Sequence, residues 1–257
     1  MQRGRSKTTV IIITATAAAA LLVGTTATQA ATGSGHSSMS MSNAAHAVTG
    51  MSPEASTAAT VRAVLTAQLV DHVWLAGNAL DTAVDKGGNL KDPAVKGAVA
   101  ALDANSVALA KTLGSVYPKA QAPFLASWRQ HIGFFVNYTL GKATKNAAMV
   151  SKARSDLDSY RTSFGQLIHS VVPELPADAV AKELIPHVQS LTAAIDAAVA
   201  GSPGYQAKLA AAAAHMPMTA QILTGGIVAN KHLDGNVGGT AATVRAVLTA
   251  QLVDHVW

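Results

Sequence analysis

Ser52 to Gly88 reads SPEASTAATVRAVLTAQLVDHVWLAGNALDTAVDKGG, and its spacing decides the fold. Ser52-Pro53-Glu54 has the form of a helix start, and Gly87-Gly88 marks a stop. Between them apolar residues recur at Val61, Val64, Leu65, Leu69, Leu75 and Leu80, with His72 in the same stripe. Recurrence at three and four residues is the signature of one buried face of an α-helix. A strand would alternate with period two, and no long stretch of this chain does so.

The same pattern recurs along the rest of the chain. Asp92-Pro93 opens a second segment through Val95, Val99, Leu102, Leu109 and Leu113, and a third carries Phe124, Trp128, His131, Phe135 and Tyr138. A fourth runs from about Lys145 through Leu157, Tyr160, Phe164 and Leu167. Pro176-Ala177-Asp178 opens a fifth with Leu184, Val188, Leu191 and Ile195. Ser202-Pro203 opens a sixth through Leu209, His215 and Ile222 to about Asn230, with a kink expected at Pro217. The expected fold is therefore all-α: a helical bundle of about six helices in one domain over 52–230, with a connector over 231–239. Composition agrees, since 49% of the 257 residues are hydrophobic and only 13% charged, enough apolar surface to bury a core.

Residues 1–30 stand apart from this domain. Arg3, Arg5 and Lys7 precede the uncharged apolar run Val10 to Val23, and Thr28-Gln29-Ala30 supplies small residues at a cleavage position. This is the pattern of an export signal and predicts a secreted, extracellular protein. The apolar run is shorter than the roughly 20 residues needed to span a bilayer, so no stable membrane anchor is expected after cleavage. Three of the 19 basic residues lie in the signal, leaving 16 against 14 acidic ones. That near balance removes the main argument for a nucleic-acid partner.

Thr57 to Trp74 (TAATVRAVLTAQLVDHVW) recurs without change as Thr240 to Trp257. The chain thus reads as one helical unit plus a partial repeat, 240–257, of its first helix. A truncated tandem repeat or an assembly artefact would explain it. So would a functional helix that fits the groove of the first and docks into a neighbouring molecule by segment exchange, a route to self-association.

There is no cysteine, which excludes thiolate metal sites, disulfides and a thiol nucleophile. Histidine is the candidate instead. His72, His131, His187 and His215 each sit three or four residues from apolar neighbours, and Asn105 lies between Leu102 and Leu109 in the same way. That spacing places all five side chains on inward helix faces. Two readings follow: a buried polar layer whose members satisfy one another and fix packing, or imidazoles converging on a metal ion, for which neutral imidazole suits zinc, copper, iron and nickel alike. Residues 31–51 form a small, polar, aperiodic linker containing His36, Met39, Met41 and His46, an auxiliary set suited to copper because thioethers select Cu(I). Met216 and Met218 beside His215 add two more thioethers. His169 suits the C-terminal end of its helix and needs no further role. There is no GxSxG elbow, phosphate-binding loop or HExxH pair, so no catalytic residue is assigned and a non-enzymatic role is expected.

ALDANSVALAKTLGSVYPKA, FLASWRQHIGFFVNYT, PHVQSL and AAAAHM together resemble a family of secreted bacterial helical-repeat proteins without established activity, some of them labelled copper amine oxidase-like. Members carry a W-x-x-H-I-x-F-F/x-x-Y helix and two tandem units. The resemblance covers about Thr57 to Asn230 and matches His72, Asn105, Trp128, His131, Tyr138, His187 and His215. It implies copper as the metal. Oxidase chemistry is not expected, because Asn137-Tyr138 is followed by Thr139 rather than an acidic residue and no His-x-His pair exists.

Overall fold

Ser56 begins the first helix: its side-chain oxygen accepts a hydrogen bond from the Ala59 amide, satisfying a donor that a helix N-terminus otherwise leaves open. Asp234, far along the chain, reinforces this end by accepting from the Thr57 and Ala58 amides. The computed structural model describes residues 55–257. The expected start at Ser52 to Glu54, the export signal and the linker with His36, Met39, Met41 and His46 lie outside the described residues. Among those described, no helix is long and apolar enough to cross a membrane.

The described residues form eight α-helices and no strand: α1 Thr57–Asp85, α2 Pro93–Val116, α3 Gln121–Ala143, α4 Ala147–Val171, α5 Ala177–Val199, α6 Tyr205–Ala213, α7 Met216–Lys231 and α8 Thr240–Val256. The chain is an all-α bundle. Residues read as one sixth helix form two, α6 and α7, because the chain turns at Ala214-His215. Pro217 then falls in the first turn of α7, where its missing N–H costs nothing, so the expected kink is a break and a restart. Asp92 and Asn146 cap α2 and α4 in the same manner as Ser56. Gly87 and Gly88 close α1 with positive φ, a conformation in which glycine alone escapes the Cβ penalty.

α1 is the central element, packing against α2, α3, α5, α6, α7 and α8. Its inward stripe, Leu65, Leu69, Val73 and Leu80, is buried with Leu109, Phe124, Trp128, Phe135, Tyr138, Phe164, Leu191 and Leu209 in one continuous core. Each such side chain contributes about 1.5–3 kcal/mol on burial, so this core decides stability. Two close approaches hold the helices together. Gly77 on α1 lies against Leu209 of α6, where a Cβ would collide with that side chain. The Tyr205 hydroxyl donates to the Gly77 carbonyl at 2.8 Å, pinning the same crossing.

Candidate functional site

The inward stripes of α1, α3 and α5 bring three imidazoles to the middle of the core. His72 on α1 and His131 on α3 have ring centroids 5.6 Å apart, and Trp128, one turn before His131, is 4.9 Å from His72 and 4.7 Å from His131. Tyr160 of α4 stacks on His131 at 5.0 Å. His187 of α5 meets Phe135 edge-on at 6.0 Å. All three histidines are buried. All three rings point inward as their spacing from apolar neighbours requires, and the fold brings them into one region.

Three small cavities surround them. One of about 30 Å³ is lined by Leu69, His72, Trp128, His187 and Met216 among others. A second of about 50 Å³ lies between His72, His131 and Phe135, and a third of about 20 Å³ between Trp128, His131, Tyr160 and His187. The Nδ1 atoms of His72, His131 and His187 and the Nε1 of Trp128 are buried and have no hydrogen-bond partner. The Trp128 carbonyl lies near enough to His131 to favour its charged form slightly, without a well-formed bond to Nδ1. Each unsatisfied polar group of this kind costs about 1–3 kcal/mol, so the cluster is a strained feature of an otherwise apolar core.

Burial also fixes protonation. Desolvation, with His187 nearby, lowers His72 to about 3, and desolvation with His215 nearby lowers His187 to about 4. Desolvation again comes first for His131, followed by repulsion from His72 and His187, and holds it well below its ordinary value. At neutral pH all three rings are uncharged. Each then has one nitrogen lone pair to offer, the form in which imidazole binds a metal.

His215 is placed differently. It sits at the N-terminal end of α7, where its Nε2 lies 3.1 Å from Glu183 Oε1 and 3.3 Å from the Glu183 carbonyl. Pro186, inside the unbroken helix α5, has no N–H to donate to the Lys182 carbonyl, one residue before the Glu183 carbonyl that His215 contacts. Thr219 Oγ1 donates to the same Glu183 carboxylate at 3.1 Å. Met216, next along, is buried and lines the His72/His187 cavity, whereas Met218 is exposed. The two thioethers therefore part company, as positions i and i+2 of a helix must.

Asn105 bridges α2 to α1 by donating to the Gln68 carbonyl at 3.1 Å and to Asp71 Oδ2 at 3.2 Å. Tyr138 donates to Asp196 at 3.0 Å and accepts from Arg154 at 3.2 Å, away from the imidazoles. His169 Nδ1 contacts the Leu175 carbonyl at 2.9 Å and closes the α4–α5 turn. Trp128 is a neighbour of His131 that the three-residue spacing already indicates, whereas Tyr160 of α4 and Glu183 of α5 reach His131 and His215 from other helices, which no local spacing signals.

Among the described residues, no three His, Asp or Glu side chains are grouped so that they could share a metal ion. Compared with family models, curated proteins and solved structures, the chain matches none.

Proposed function

We propose that this protein is a secreted, non-enzymatic copper-handling bundle, and that its ion site is the cavity between α1, α5 and α7 with His72, His187 and Met216 as donors. The observation carrying this reading is the coincidence of two unpaired imidazole Nδ1 atoms and one buried thioether around a single cavity of about 30 Å³. Neutral imidazole accepts several transition metals, but a thioether beside it selects Cu(I) and disfavours Zn(II). The surrounding Leu69, Phe164 and Val180 would keep water from a bound ion. His131 lies beside His72 and supports its position. His215 is engaged by Glu183 and stands at the edge of the site rather than within it. The linker residues His36, Met39, Met41 and His46 would act as an outer capture segment.

The test is titration of the full mature chain with Cu(I), Cu(II) and Zn(II) against a competing chelator. Tightest binding is expected for Cu(I), with at least about a tenfold loss in His187→Ala, equivalent to one ligand contact. Binding no tighter than micromolar, or unchanged by that substitution, would overturn the proposal.

A second reading is a structural or interaction module whose buried histidines only fix helix packing. It is favoured by the absence of a three-residue His/Asp/Glu group among the described residues. Under it, replacing His72, His131 or His187 lowers stability equally with and without chelator.

A further inference from the structure

The repeated helix does not fill a copy of the groove that α1 occupies; it lies beside α1 itself, parallel and in register. Trp74 Nε1 donates to Asp254 Oδ1 at 2.8 Å, and Trp257 Nε1 donates to Asp71 Oδ1 at 3.0 Å. Arg62 Nη1 donates to Thr243 Oγ1 at 2.9 Å, and Arg245 Nη1 donates to Thr60 Oγ1 at 2.9 Å. With a repeat spacing of 183 residues, from Thr57 to Thr240, each bond is the image of its partner. Trp257 is the copy of Trp74, Asp254 of Asp71, Arg245 of Arg62 and Thr243 of Thr60. Reciprocal contacts between like residues define an isologous, two-fold interface.

We propose that α1 carries a homotypic docking seam that accepts α1 of a second copy of this chain, and that α8 occupies this seam from within the molecule. The seam face of α8 consists of Ala242, Ala246 and Ala250, its only buried residues, and the equivalent face of α1 is Ala59, Ala63 and Ala67. Small side chains four residues apart let two helix backbones approach closely. An 18-residue segment of identical sequence already seated on α1 shows that its surface complements itself.

The opposite face of α8 says where the body of a second copy would lie. Leu252 is 66% exposed and Val256 82%, while their counterparts in α1, Leu69 and Val73, are 3% and 0% exposed in the core. Among the described residues nothing covers the side of α8 that carries Leu252 and Val256. Because α8 is tethered, it competes at high effective concentration, and the unaltered chain is expected to stay monomeric.

The experiment uses the full chain with Ala242→Glu and Ala246→Glu together. Both changes lie on α8, outside the main core, and place two carboxylates in the alanine seam, leaving α1 unaltered. Release of α8 is scored by trypsin cleavage after Arg245, and mass by light scattering at high micromolar concentration. The expected result is a doubled mass, reversed by a peptide of sequence Thr57 to Trp74. Adding Trp74→Phe should weaken the dimer by at least about tenfold, since the symmetry removes two hydrogen bonds at once. A released α8 with a monomeric chain overturns the proposal. So does an α8 that stays packed despite both carboxylates, or a dimer indifferent to the peptide and to Trp74→Phe.

Discussion

His72 and His131, 59 residues apart in the chain, bring their ring centroids to within 5.6 Å of each other, and neither Nδ1 finds a hydrogen bond. Two neutral imidazoles in contact inside an apolar core make the metal-free protein sensitive to acid and leave it able to gain stability by losing a ring.

Stability of the metal-free protein should fall as pH drops below about 6.5, the ordinary histidine value. The unfolded chain takes up protons there while His72 and His187 remain neutral down to about 3 and about 4. More protons bound in the unfolded state means stability present above the unfolded value and lost below it. Each histidine contributes up to about 1.4 kcal/mol per pH unit within its window. Urea denaturation at pH 7.5, 6 and 5 measures the slope, and His187→Leu should reduce it. A flat profile would show that the folded protein protonates these rings as readily as the unfolded chain does, contrary to their desolvation.

His187→Leu should also leave the metal-free protein as stable as before or about 1–2 kcal/mol more stable, because it removes an unsatisfied buried donor or acceptor without opening a cavity. Chemical denaturation with chelator present reads the difference. A loss of 2 kcal/mol or more would favour the packing-only role.

Gly165 on α4 abuts the Ala177 carbonyl so closely that a Cβ would force the two backbones apart. Gly165→Ala should therefore cost about 1–3 kcal/mol. Gly133, with open space where its Cβ would stand, should instead gain up to about 1 kcal/mol on replacement by Ala through helix propensity. Thermal melts of the two variants should move in opposite directions.

The helical periods of residues 57–230 carry most of the fold, and they place His72, Asn105, His131 and His187 on inward faces. They do not say which inward faces meet. His72 and His187 are 115 positions apart and share a cavity only because α1 packs on α5 and α7, a tertiary fact that no local spacing encodes. Met216 and Met218 could have been separated from sequence, since two residues along a helix point to different sides. α8 shows the opposite difficulty: its period is that of α1, so the same stripe would be expected to be buried, yet in the molecule the alanine face packs and the leucine face is open. A surface is buried by what lies beside it, and identical sequences met different neighbours.

Copper binding at the His72/His187 cavity is tested by nitrogen NMR of the histidine rings in the full mature chain as Cu(I) is added to one equivalent. The ring nitrogens of His72 and His187 should shift together and saturate at that point, with Met216→Leu abolishing the change. Shifts confined to His36 and His46, with the core imidazoles unmoved, would contradict it.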